Sequence, residues 1–142
     1  MNAASTHTGH PRFQAILLKT AGAISFVTLG AVFAPDYALG KLHWLLGMGR
    51  LPESALLRYL AAGGSFVYII TGLLMWVMAG DVVRYRPMIV LSAWIVLVAA
   101  PIYWLINTQA GMPLWWAWMD TLACLAFGIA LLWACHAKQK TP

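Results

Sequence analysis

Four apolar stretches separated by short polar segments organise the chain: Phe13 to Phe33, Ala55 to Ala79, Pro87 to Ile106 and Pro113 to Ala134. Each is close to the ~20 residues that an α-helix needs to cross a ~30 Å hydrocarbon layer. The residues between them are those that helix ends require. Pro35-Asp36 closes the first stretch, Pro52 opens the second, Gly80-Asp81 closes it, and Pro87 and Pro113 open the third and fourth. Proline fits the first helical turn, and glycine fits just past the last. The connections after the second and third helices are short, so neighbouring helices are expected to run antiparallel. Lys19 interrupts the first stretch near its start, where the long stem carries the ammonium to the headgroups. The pattern predicts an all-α fold: an integral membrane antiparallel four-helix bundle over 13–136, between an N-terminal tail 1–12 and a C-terminal tail 137–142.

The link from Ala34 to Ser54 has a helical pattern of its own. Asp36, Gly40, His43 and Gly47 recur on one face, while Ala38, Leu42, Leu45 and Leu46 lie on another. This predicts a short interfacial helix between the first two spans, broken by Gly47, Gly49 and Pro52. Small residues mark the expected helix crossings: Ala21, Gly22, Ala23 and Ser25 in the first span, Ala61 to Ser65 in the second, Cys124 and Gly128 in the fourth. Pro101 removes a backbone donor inside the third span and is expected to kink it.

Composition fixes the class. Hydrophobic residues make up 62% of the 142 and charged residues 9%, against roughly 45 to 50% and 25% in soluble domains. No length remains for a soluble catalytic domain. The net charge of +5 is spread over the ends of the apolar stretches, which suits lipid headgroups and not nucleic acid. Arg12, Lys19, Arg84, Arg86, Lys138 and Lys140 fall on one side, Lys41, Arg50 and Arg58 on the other, so the positive-inside rule places both termini in the cytoplasm. Tyr59, Tyr103, Trp104, Trp115, Trp116 and Trp118 then form an outer aromatic belt, and Trp76, Tyr85 and Trp133 an inner one. Arg84, Arg86 and Lys19 stand where headgroups or the acidic surface of a partner would meet them. Met1 to Pro11 lacks a signal-peptide cleavage pattern, so the first stretch is expected to be retained. Cys124 and Cys135 fall on one helix ~16 Å apart, too far for a bridge, and read as packing residues.

Asp120 is the candidate for chemistry. A helix that starts at Pro113 carries it ~10 Å below the start, inside hydrocarbon, where an acid needs a partner or a purpose. Arg58, counted from Pro52, lies at ~9 Å and is the expected mate in a buried ion pair. His43, Asn107 and Gln109 come from the same side. With Trp115, Trp116 and Trp118 they outline a ligand pocket, since an acid ringed by indoles suits a cationic group, although an aromatic belt accounts for the same tryptophans. His7, His10, His43 and His136 sit near helix ends and not mid-membrane, so neither a haem pair nor a set of metal ligands is predicted. No glycine-rich phosphate loop, Ser/His/Asp set or Cys-x-x-Cys occurs. No catalytic residue and no covalent or metal cofactor is expected; a bound lipid or quinone is the ligand such a pocket would take.

The stretches His43-Trp-Leu-Leu-Gly-Met-Gly-Arg-Leu-Pro52, Arg84-Tyr-Arg-Pro87 and Ala110-Gly-Met-Pro-Leu-Trp-Trp116 resemble those of small bacterial four-helix membrane proteins broadly similar to the DoxX-like group. The resemblance covers most of the chain after Phe13 and implies a multi-pass protein of the bacterial inner membrane. Association of some members with quinone-linked oxidoreductases implies a partner or ligand in electron transport, and no catalytic residue carries over. Three functions follow in order of expectation. The first is a non-catalytic accessory subunit of a larger membrane complex, with lipids and other subunits or a second copy as partners. The second is a lipid- or quinone-binding protein or enzyme built around Asp120, Arg58 and His43. The third is a small cation or proton-coupled transporter; the chain is similar to small multidrug exporters in length and helix count, but their acid lies in the first helix, where this chain offers only Lys19.

Overall fold

The structure, a computed structural model, describes residues 10–136, which form helices and no strand. His7, Lys138 and Lys140 lie outside the described residues. Four segments are long and apolar enough to cross a membrane: Pro11–Phe33, Ala55–Gly80, Arg86–Gln109 and Leu114–His136. Their limits fall within three residues of those predicted from hydropathy and punctuation, and they support a multi-pass membrane protein. The first span is built from α1 (Pro11–Ser25), a 3₁₀ turn (Phe26–Thr28) and α2 (Leu29–Phe33). The others are α4 (Ala55–Gly80), α5 (Arg86–Gln109) and α6 (Leu114–His136).

The link between the first two spans folds as predicted into a helix, α3 (Pro35–Leu45). Pro35 occupies its first turn and Asp36 sits where the helix dipole favours an acid. α3 ends at Gly47, whose φ of 75° is left-handed and unfavourable for a residue with a Cβ. There the Gly47 N–H donates to the Trp44 carbonyl at 3.0 Å and the Met48 N–H to the His43 carbonyl at 3.1 Å. α5 ends in the same way at Gly111, φ 70°, with Gly111 N–H to Thr108 at 3.2 Å and Met112 N–H to Asn107 at 3.0 Å. Both closures satisfy carbonyls that a helix end leaves without partners.

The chain divides into two compact units. In Leu18–Val77, α1 crosses α4 where two glycines meet. A Cβ on Gly72 would stand 2.9 Å from the Gly22 carbonyl oxygen and 2.9 Å from the Ser25 Cβ, and a Cβ on Gly22 would run into the Trp76 ring. The Trp76 indole N–H donates to the Lys19 carbonyl at 3.1 Å, and Phe26 meets the same indole edge-on at 5.7 Å. Past the crossing the helix tightens. The Thr28 hydroxyl lies 2.7 Å from the Ser25 carbonyl and 3.2 Å from that of Ser65, and such back-bonding hydroxyls bend helices and favour 3₁₀ turns.

Of the small-residue run Ala61 to Ser65, the Ser65 carbonyl meets the first span at the Thr28 hydroxyl, but the glycines of the run do not mark the closest approach. A Cβ on Gly63 or Gly64 would meet nothing within 4 Å. The close approach lies about two turns further along α4, at Gly72, where Trp76 on the next turn covers Gly22 and anchors to α1.

The other unit is the described part of Met1–Leu17 with Met78–Pro142. Here α5 and α6 form a helical hairpin. Ala93, Ala100 and Asn107 recur every seven residues on α5 and are all buried; Ala117, Gly128, Leu131 and Cys135 are buried on α6. This is the spacing of a membrane helix seam with small residues at the contact. A Cβ on Gly128 would lie 2.6 Å from the Leu97 side chain and 3.1 Å from the Ala93 carbonyl oxygen. α5 runs on through Pro101 as one helix. At the far end of the hairpin the last carbonyls of α6 are covered from elsewhere in the unit. Ala134 accepts from the His10 N–H at 2.9 Å and from the side-chain amide of Gln14 at 2.8 Å, while Cys135 accepts from the Arg86 guanidinium at 3.1 Å.

The glycines yield a stability test. Gly72→Ala should destabilise the protein by about 1–3 kcal/mol, because its neighbours are backbone and cannot move aside. Gly64→Ala should be neutral or stabilising by up to about 1 kcal/mol, the helix propensity gained over glycine. Unfolding in detergent micelles measures both; an equal loss at the two positions would refute the assigned crossing.

Candidate functional site

The Asp120 carboxylate receives its hydrogen bond from Asn107: Nδ2 donates to Oδ2 at 3.1 Å. Local structure prepares the donor. Asn107 is three residues before the end cap of α5, its carbonyl is tied to Met112 by the Gly111 closure, and its side chain is buried against α6. Asp120 lies on the second turn of α6, which Pro113 opens by accepting from the N–H groups of Trp116 and Ala117. The four-residue connection, Ala110 to Pro113, therefore brings amide and acid together across the mouth of the hairpin. Trp104, one turn before Asn107 on α5, and Trp118 of α6 meet at 4.5 Å between ring centroids, tilted by 55°. Trp115 and Trp116 meet edge to face at 5.7 Å. The Thr121 hydroxyl, next in sequence to Asp120, is buried and makes no hydrogen bond among the described residues. The arrangement is a clamp of one neutral donor on one acid, with a single hydroxyl nearby left to donate or accept.

Arg58, expected as the mate of Asp120, forms its ion pair with Asp36: Nε lies 3.3 Å from Oδ1. Each of the two groups is thus engaged inside its own unit. The physical reason is the start of α4. Residues 51–54 are not helical and the helix begins at Ala55, so Arg58 stands only ~4.5 Å along it, one turn shallower than a count from Pro52 gives. There α3 offers Asp36, with side chains 48% and 68% exposed in the pair, the geometry of a surface salt bridge worth about 0–1 kcal/mol.

The remaining candidates serve helix ends. The His43 ring nitrogen Nδ1 lies 3.0 Å from the Gly49 carbonyl, holding the chain just past α3. The Arg84 backbone N–H donates to the Asp81 carboxylate at 3.0 Å, and its guanidinium lies 5.6 Å from the centre of the Tyr85 ring. Arg86 caps α6 through Cys135, and Lys19 supplies its carbonyl to Trp76 while its side chain is exposed. His136 bonds back to the Leu132 carbonyl at 2.8 Å. Among the described residues no three His, Cys, Asp or Glu side chains converge as a metal site would require.

Two residues that hold the structure were not singled out from sequence. Gln14, 4% exposed, carries the amide that seals Ala134. Its signal was there to read: a glutamine one turn inside an apolar span must find a partner. Asp36 was legible as a helix start and not as the acid for Arg58.

Comparison with protein families, with curated proteins and with solved structures finds no match to the chain. Function must be argued from the geometry.

The clamp and the surface pair differ in a measurable way. Asn107→Ala leaves the Asp120 carboxylate without its donor and should lower the unfolding free energy by about 1–3 kcal/mol. Arg58→Ala should cost less than about 1 kcal/mol. Unfolding of the two variants in the same micelles checks the order, and a larger loss at Arg58 would show that the Asn107–Asp120 contact is incidental.

Proposed function

We propose that this chain is a non-catalytic accessory subunit of a larger assembly in the bacterial inner membrane, an antiparallel four-helix bundle with both termini cytoplasmic, acting by docking against the helices of other subunits. The observation that carries the reading is the division among its span glycines. Gly22, Gly72 and Gly128 are each used for close approach inside the chain, whereas Gly63 and Gly64 have nothing within 4 Å of where a Cβ would be. A glycine inside a helix costs about 1 kcal/mol against alanine, and no contact among the described residues accounts for two in succession. Without side chains of their own, they form the kind of surface that lets a second helix approach closely in lipid.

The polar groups agree. Gln14, Asn107, Trp76 and Thr28 direct their hydrogen bonds to other segments of the chain, while only 11 to 22% of each span is buried. The internal chemistry is structural, and the outer faces are apolar and open to lipid or to other helices.

Extraction into polymer-bounded native discs, followed by native mass spectrometry, tests the proposal. The chain should appear in fixed stoichiometry with at least one other membrane polypeptide, and Gly64→Leu should abolish that particle without lowering the stability of the isolated chain. A particle that holds this chain alone, in one copy or several, would overturn the reading.

A further inference from the structure

A cleft of about 380 Å³ opens beside the 3₁₀ turn, between the first span and α3. Val27 and Ala31 line it from the first span, Ala38, Lys41 and Leu42 from α3, and Ser65 from α4. Its size falls within the roughly 300–1,000 Å³ of small-molecule sites. α3 joins two spans and so lies at a membrane surface, which places Lys41 at headgroup level. Ser65 is ten residues into α4, and Thr28, whose hydroxyl lies 3.2 Å from its carbonyl, is five residues before the end of the first span, which sets this level ~8–15 Å below the surface of a ~30 Å hydrocarbon core. The cleft therefore runs from the headgroups into the hydrocarbon of one leaflet with a mainly apolar lining, the course of the upper part of one lipid acyl chain.

Charge at the mouth selects the headgroup. Lys41 Nζ is 3.2 Å from the Tyr37 hydroxyl and 5.4 Å from the centre of the Tyr37 ring, a neutral partner that holds the ammonium in place and leaves its charge uncompensated. The one acid of α3, Asp36, is paired with Arg58, and no carboxylate among the described residues of this unit forms an ion pair with Lys41. An anion at the rim completes the arrangement.

We propose that this cleft seats one anionic glycerophospholipid, its acyl chain between the Ala31 and Ala38 walls and its phosphate against Lys41. The site is separate from the Asn107–Asp120 clamp and does not depend on the subunit reading.

The test uses the full chain in dodecyl maltoside micelles doped with dioleoyl phosphatidylglycerol or dioleoyl phosphatidylcholine, with retained lipid counted by native mass spectrometry. Wild type should retain one phosphatidylglycerol with a preference of about five-fold over phosphatidylcholine, the increment expected from one lysine at a lipid surface. Lys41→Gln should bring the ratio to about one, Lys41→Arg should keep it, and Arg50→Gln, on the same connection but outside the cleft, should leave it unchanged. Ala31→Phe and the smaller Ala38→Leu should each reduce retention of both lipids by filling the channel. Equal retention of the two lipids by wild type, an unchanged preference in Lys41→Gln, or full phosphatidylglycerol retention in both filled variants would each overturn the proposal.

Discussion

The last carbonyls of a helix have no partner within it, and the rest of this structure depends on how they are satisfied. At α6 the Ala134 carbonyl takes both the His10 N–H and the Gln14 amide, and the Cys135 carbonyl takes the Arg86 guanidinium. Those three bonds tie the start of α1 and the start of α5 to the end of α6. A cation at a helix C-terminus is also favoured by the dipole, so Arg86 answers two demands with one side chain. At α3 and α5 the solution is local: a left-handed glycine turns the chain so that its own N–H groups reach back to His43 and Asn107. The closure at Asn107 then fixes the residue whose amide meets Asp120.

The same constraint explains where charge is used. Arg58, Asp36, Arg84 and Lys41 all act at helix ends or on α3, where water and headgroups screen them. Contacts from one helical segment to another rely on neutral donors, namely the Trp76 indole, the Thr28 hydroxyl and the Asn107 amide. In a medium of low dielectric a neutral hydrogen-bonded group avoids most of the desolvation penalty that an ion pair must overcome. Asp120 is the acid set deepest in its span, and it is served by an amide rather than a guanidinium. That choice suits a clamp whose work is to hold α5 on α6.

Much of this was legible along one dimension of the sequence. Hydropathy, together with proline and glycine at the ends, gave the four spans and α3 to within a turn, because length and punctuation are properties of position along the chain. The azimuth of each helix was not legible. Gly22 and Gly128 stood out as crossing residues and are used so, but Gly63 and Gly64 carry the same signature and meet nothing within 4 Å among the described residues; small size declares that a helix can be approached, not by what. Depth failed for a different reason. Pro52 marks the end of a loop, but α4 begins only at Ala55, so Arg58 stands about one turn nearer its start than the count gave, and there it pairs with Asp36.

Gly63, Gly64 and Ser65 occupy successive positions of one turn of α4, and a rotation of 100° per residue sends them to different sides of it. Ser65 lines the same cleft as Lys41, while a Cβ on Gly63 or Gly64 would meet nothing within 4 Å among the described residues. At one level in the membrane the same helix thus offers a channel shaped for an acyl chain and, beside it, a surface that admits a backbone. A lipid held in the first would lie against a helix seated on the second, adding its own contact to an interface that the hydrophobic effect does not drive in lipid. On this view the small residues of α4 and the lysine of α3 belong to one joint. The narrow burial of the spans, which leaves so much apolar surface uncovered within the chain, is what a protein built to be packed against would show.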